Sequence, residues 1–307
     1  MMASAAPMRV RVVIPHYCAE QAGEQGYGST RPGNRTKRIV ALGRCLGALR
    51  ALAQRPGNGD WLMQHSPEAG PIALPDQKTT GAAPIQLEIL ICVTGEAWLE
   101  PTLRAFPHAI KVLMLRPEAP IQLGLAARDA LLQAEPIADL SLYMEDDLVI
   151  HDPLFFEKQR WFLERAEHQA VLMPHRYELV QAGSTYPKRL YVDGDLEAEA
   201  LEAFPWHAQA SAAQGSFRGQ SLRFDQPSNP HSGLFVLSAP QVEQLRQSGI
   251  PGQEWVGPLE TAATHTVAHR FPVFKPSWSC RDFLTVEHAH HSYGVYLERA
   301  LEEAMKA

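Results

Sequence analysis

The residues most able to do chemistry are three consecutive carboxylates, Glu145, Asp146 and Asp147, in the stretch Leu142-Tyr-Met-Glu-Asp-Asp-Leu-Val-Ile150. They interrupt apolar runs that read as the end of a buried strand. Carboxylates are costly there unless they are paired or hold a cation. Hard oxygen ligands at a strand end suit Mg2+ or Mn2+, and such an ion commonly clamps a phosphate-bearing substrate. A second concentration of ligand-type side chains is Glu287-His288-Ala-His290-His291, near the C-terminus. Imidazole added to carboxylate favours Mn2+ over Mg2+. The spacing does not match a zinc finger. His151-Asp152 has the residue types of a metal phosphohydrolase pair, but Asp152 before Pro153 is accounted for more simply as a helix start.

Two further segments narrow the chemistry when read in order with the acidic cluster. Val12-Val-Ile-Pro15-His-Tyr17 is a strand stopped by a proline. Gly124-Leu-Ala-Ala-Arg128-Asp129 opens a helix. Tyr143-Met-Glu145-Asp146-Asp147 ends a strand in acid. Together these resemble the nucleotide-sugar-dependent glycosyltransferases of the GT-A fold, family 2-like and of the Asp-x-Asp type, over about the first half of the chain. Glu145 stands where that family usually has Asp, and Asp129 where it usually has Asn.

The resemblance implies an α/β fold: a GT-A type, Rossmann-like mixed sheet, mainly parallel and flanked by helices. It implies a single domain over residues 1–307, with a donor-binding half at 8–150 and an acceptor-binding half at 151–307. The implied substrates are a nucleoside-diphosphate sugar, a UDP-sugar foremost, and a glycan or other hydroxyl acceptor. The implied cofactor is Mn2+ or Mg2+. Asp147 would hold the metal, with His288 or His290 completing its coordination. Glu145 would contact the ribose or the metal. Asp146 would face the nucleoside or fill the turn. Pro15 and Tyr17 would line the nucleoside pocket, and Arg128 would pair with phosphate. On the acceptor side the implied residues are His231, in Asn229-Pro-His231-Ser-Gly233, and Trp255. Glu260, with Glu254 second, would be the general base of an inverting reaction. Two other readings stay open at this point: a nucleotidyltransferase of the same fold, and a non-catalytic sugar-nucleotide or glycan-binding protein.

Composition bounds these readings. The chain has 307 residues, of which 45% are hydrophobic and 20% charged, which is ordinary for a soluble globular protein with ample core. The net charge of -6 weighs against a nucleic-acid partner, which calls for a basic surplus or stripe. No apolar run reaches the roughly 18–20 residues that span a bilayer. Arg9, Arg11 and Pro15 break any signal-like h-region. Cys18, Cys45, Cys92 and Cys280 form no CxxC pair and read as free thiols. A cytoplasmic enzyme is expected.

The elements that must position these residues follow from periodicity and punctuation. Strands are expected at Val10–Ile14, Ile85–Val93, Ile110–Leu115 and Leu140–Met144. Helices are expected at about 36–54, 98–106, 124–133 and from Asp152 to about His168. The alternation argues for a parallel sheet with ligands beyond its carboxyl ends. Residues 55–84, rich in Pro and Gly, read as a long, mobile insertion. In the second half, strands are expected at 171–173 and 233–237. A helix should open at Ser238-Ala-Pro240 and stop at Gly249, and another should open at Gly257-Pro258. Arg31, Arg35, Lys37 and Arg38 read mainly as a solvated helix start. Trp206, Trp255, Trp278 and Tyr191 could stack on sugars, although most aromatics fill cores.

Overall fold

The computed structural model describes residues 6–19, 33–53, 59–64, 67–75, 84–181, 186–197, 199, 212–252, 257–290, 292–297 and 299. The first half runs β1 (Met8–Pro15), α1 (Arg35–Leu52), β2 (Trp61–Met63), β3 (Pro71–Ala73), β4 (Ile85–Val93), α2 (Glu100–Arg104), β5 (Lys111–Met114), α3 (Leu123–Gln133), β6 (Leu140–Met144), β7 (Leu148–Val149) and α4 (Phe155–Arg165). The second half runs β8 (Val171–Leu172), β9 (His175–Val180), β10 (Lys188–Tyr191), β11 (Ala213–Phe217), β12 (Gln220–Asp225), β13 (Leu234–Ser238), α5 (Ala239–Ser248), α6 (Pro258–Glu260), α7 (Thr266–Ala268), β14 (Val273–Pro276) and β15 (Thr285–His288).

The main sheet has the order β13-β6-β1-β4-β5. β1, β4, β5 and β6 are parallel, and β13 joins antiparallel to β6 at one edge. The expected mixed, mainly parallel α/β architecture is therefore present. Its central strands β1 and β6, with β13, are buried apolar runs because helices cover both faces, whereas the edge strand β5 is exposed. Val10, Val12 and Ile14 point to the α1 side, where Leu42, Cys45, Leu46 and Leu49 pack. Val13 points to the α3 side, against Leu123, Ala127 and Leu131. This alternation along one strand is the period-2 geometry that lets a single sheet carry two cores.

Strand order locates the site. β1, β4 and β5 are laid down in sequence to one side, and the chain then crosses back to place β6 on the other side of β1. The reversal makes the carboxyl ends of β1 and β6 a topological switch point, the place where doubly wound sheets bind ligands. His16 follows β1 and Glu145–Asp147 follow β6, so both lie at that switch point.

Two smaller sheets, β10-β9-β15-β7 and β11-β12-β14-β8, complete the fold. β7 begins directly after the acidic cluster and pairs antiparallel with β15, setting His288 opposite Leu148. The register is reinforced by the Ala289 amide, which donates to the Asp147 carbonyl at 2.8 Å. A C-terminal strand is thereby stitched to the acidic turn.

One expectation gains detail and one is corrected. Within the insertion at 55–84, β2 and β3 form a hairpin with Trp61, Leu62 and Met63 exposed. The helix after Asp152 starts later, at Phe155, because the Asp152 carboxylate accepts the Leu154 amide in a turn ahead of it. Cys18, Cys45, Cys92 and Cys280 are free thiols. Among the described residues, no helix is long and apolar enough to cross a membrane.

Candidate active site

The acidic turn is built by three strands. The β6 ladder ends at Met144, and the Glu145 amide donates across to the Gly233 carbonyl at 3.0 Å. Gly233 has φ 66°, and a Cβ there would lie 2.9 Å from Glu145 Oε2. Glycine is thus required twice over, by the left-handed backbone and by the close approach of a carboxylate. β7 then leads away, so all three carboxylates sit at one buried bend.

Their partners explain how such a bend is tolerated. Arg38, on the first turn of α1, bridges two of them: Nη2 binds Asp146 Oδ1, and Nη1 donates to Asp147 Oδ2 at 2.9 Å. Asp146 Oδ2 accepts from His16 Nδ1 at 2.5 Å. His16 Nε2 accepts the Leu99 amide at 3.0 Å, which fixes the tautomer that donates to Asp146. Glu145 faces Arg176 at 3.7 Å, and Arg176 in turn binds Asp193 at 2.8 Å. His288 Nε2 lies 3.6 Å from Asp147 Oδ2.

The three acids are not equivalent. Burial works against ionisation of Asp147, but His288 and Arg38 outweigh it and hold this carboxyl well below the usual range. Asp146 is also lowered: burial opposes ionisation, and Arg38 followed by His16 overcomes it. Glu145 moves the other way. Burial pushes it up, Arg176 offsets this only in part, and Asp147 and Glu260 add like-charge repulsion. Two neighbours are thus fixed carboxylates, while the third tends to keep its proton. Burial would lower His288, but Asp147 and Glu178 raise it to about 9.

Among the described residues, no three His, Cys, Asp or Glu side chains form a ready cage. Asp147 Oδ1, however, is buried with no hydrogen-bond partner among the described residues. His288 offers Nε2 beside the same carboxylate while its Nδ1 is engaged by Glu178 at 2.8 Å. One orphaned oxygen and one oriented imidazole suit a hard cation that takes its remaining ligands from water and substrate phosphate. Asp146 does not fit that role, because both of its oxygens are committed to Arg38 and His16.

The other expected residues are distributed as follows. Pro15 closes β1 beside His16, and Tyr17 packs next to the α3-side core. Glu260 ends α6, half-buried, near enough to Glu145 for the two acids to repel. A π-helical turn, Thr261–His265, follows it directly. Such turns often mark functional sites. Thr264 in this turn binds His231 Nδ1 at 2.8 Å, and Lys275 donates to the His231 carbonyl at 2.6 Å. Burial, then Arg176, hold His231 down to about 3, so it is a neutral imidazole. His290 lies 6.5 Å from His288, ring to ring, on the rim of the acidic turn. Trp255, Trp206, Glu254, His291 and Arg31 lie outside the described residues.

Arg128 is placed otherwise than expected. It is buried, and its guanidinium is spent on Asp129, the Pro251 carbonyl and Thr266, so it ties α3 to α7 and points at no acidic-turn residue. Gly124 in the same segment is a packing glycine. A Cβ there would lie 2.9 Å from Leu259 and 3.0 Å from the Tyr143 hydroxyl.

No protein-family model matches the chain, and no curated protein matches it either. Among solved structures, TarS of S. aureus (residues 1–349, in complex with UDP-GlcNAc) is similar over 96% of this chain and 65% of that one, at 13% identity and a TM-score of 0.40. GalNAc-T7 with UDP, GalNAc and Mn2+ is similar over 92% of this chain and 43% of that one, at 12% identity and a TM-score of 0.44. The chain spans less than two thirds of the length of either. What it does is therefore read from its own residues.

Proposed function

We propose that this chain is a metal-dependent glycosyltransferase of GT-A type, moving a sugar from a nucleoside-diphosphate sugar to an acceptor hydroxyl. The observation that carries the reading is the Asp147 carboxylate, with Oδ1 unpartnered among the described residues and Oδ2 3.6 Å from His288 Nε2, at the switch point of a mainly parallel sheet. Asp147 and His288 would hold Mn2+ or Mg2+, with imidazole favouring Mn2+. The bound cation would neutralise charge on the departing nucleoside diphosphate.

The rest of the work falls to the chain. Arg38 and His16 hold Asp146 and Asp147 ionised and in place. Pro15, Tyr17 and Asp146 border the nucleoside side, and a UDP-sugar is the donor to try first. Glu145, inclined to keep its proton, can donate a hydrogen bond to a ribose or sugar oxygen. His231 and Trp255 belong to the acceptor side. In an inverting reaction, Glu260 takes the proton of the acceptor hydroxyl as its oxygen bonds to the anomeric carbon. The bond from that carbon to phosphate breaks, and the diphosphate leaves with the electron pair.

Hydrolysis or transfer from UDP-sugars with added Mn2+ tests this. The expected outcome is turnover that Asp147→Ala abolishes and that Glu260→Gln reduces by roughly 10²–10⁴-fold. Turnover unchanged in Asp147→Ala would remove the acidic turn from the mechanism.

A further inference from the structure

Glu178 lies on β9, two residues beyond Arg176, and its side chain is fully buried. It is engaged on both oxygens. Oε1 accepts from His288 Nδ1 at 2.8 Å and from the Ser292 amide at 2.8 Å. Oε2 accepts from the Gly294 amide at 2.7 Å, and the Tyr293 amide reaches both oxygens. Three successive backbone amides and one imidazole thus converge on one carboxylate. Gly294 permits this approach, since a Cβ there would meet Val180 at 2.9 Å and Glu178 Oε2 at 3.4 Å.

Two consequences follow from the geometry. With Nδ1 donating to Glu178, the only ring nitrogen of His288 left to face Asp147 is Nε2. The same carboxylate pins residues 292–294, so the segment after β15 is clasped to β9 just where β15 meets the acidic turn. A buried carboxylate accepting the distal N–H of a histidine is the usual way a metal-ligating imidazole is oriented and made more basic.

We propose that Glu178 is the positioning residue of the cation site: it sets the His288 tautomer and ring orientation that present Nε2 to the Asp147 carboxylate, 3.6 Å from its Oδ2. This rests on the cation reading of the proposed function. Glu178 itself touches neither cation nor substrate.

The test is Mn2+ binding to the full chain, read by electron paramagnetic resonance of free Mn2+ with UDP present. Glu178→Gln keeps size and removes charge, and should weaken Mn2+ binding by roughly 10- to 100-fold. UDP binding without metal should not change. Gly294→Ala is the control for a merely structural role: it strains the same clasp without removing the carboxylate, and should lower the melting temperature while leaving Mn2+ affinity in place. Equal Mn2+ affinity in wild type and folded Glu178→Gln overturns the proposal. Failure of the wild type to bind Mn2+ overturns the cation reading and takes the proposal with it. Should Glu178→Gln not fold, nitrogen-15 spectra of wild-type histidines with Mg2+ decide. Above about pH 9, where the ring is neutral, a proton on His288 Nδ1 with Nε2 unprotonated supports the assignment, and the opposite tautomer overturns it.

Discussion

Removing the Arg38 guanidinium would leave Asp146 and Asp147 side by side in a buried bend without the counter-charge they share. Breaking a buried pair by deleting one partner costs about 3–5 kcal/mol, because a charge is left uncompensated. Arg38→Met should therefore lower unfolding free energy by about that much in urea titrations. A loss below about 1 kcal/mol would mean that water already screens the cluster. The need of the acidic turn for a counter-charge was legible in the sequence, but the identity of that charge was not. Arg38 reads as one of several basic residues at a helix start, and its burial depends on how α1 lies against β7. His16 was missed because nothing in Pro-His-Tyr marks the histidine as buried. Arg176 and Glu178 left a fainter trace: two charges at period 2 within an otherwise apolar strand share one face, which asks for partners on that face.

At the scale of elements, strands long and apolar enough to be buried on both faces could be read from periodicity. β1, β4 and β6 fall where they were expected, and so do α1, α3 and α5. The second-half strands β9 to β12, β14 and β15 were not expected. They are short, and their pairing joins residues far apart in sequence, such as His288 with Leu148. Local propensity carries little of that information. The Gly124 segment was legible as a helix start but not as packing. Gly124→Val should cost about 1–3 kcal/mol through overpacking against Leu259 and Tyr143. It should also reduce turnover, because Leu259 adjoins Glu260. Wild-type stability and turnover in this variant would contradict that contact. Near the sheet edge, the hydrogen bond from Lys111, then that from Arg11, lower Glu88 below its ordinary value of 4.5. A lowered carboxyl stabilises the fold above that ordinary value, and the contribution is lost as pH falls through the folded value. Glu88 is one-third exposed, so Glu88→Gln should cost less than about 1 kcal/mol at neutral pH. In acid the deficit should vanish. A deficit that does not change with pH would point to packing instead.

In the whole molecule, a parallel sheet whose order reverses between β1 and β6 meets β15, which delivers His288 to the acidic turn beyond the end of β6. Donor chemistry at the β1–β6 switch point and acceptor chemistry near Glu260 and His231 would then meet at the acidic turn. The central claim is that Asp147, with His288, holds a cation that clamps a nucleoside diphosphate. Calorimetric titration of UDP into the protein, with and without Mn2+, tests it most directly when repeated on Asp147→Asn. The account predicts that Mn2+ tightens UDP binding by about tenfold or more, about 1.4 kcal/mol, and that Asp147→Asn erases the difference. UDP affinity indifferent to Mn2+, or a metal effect that survives in Asp147→Asn, would contradict it.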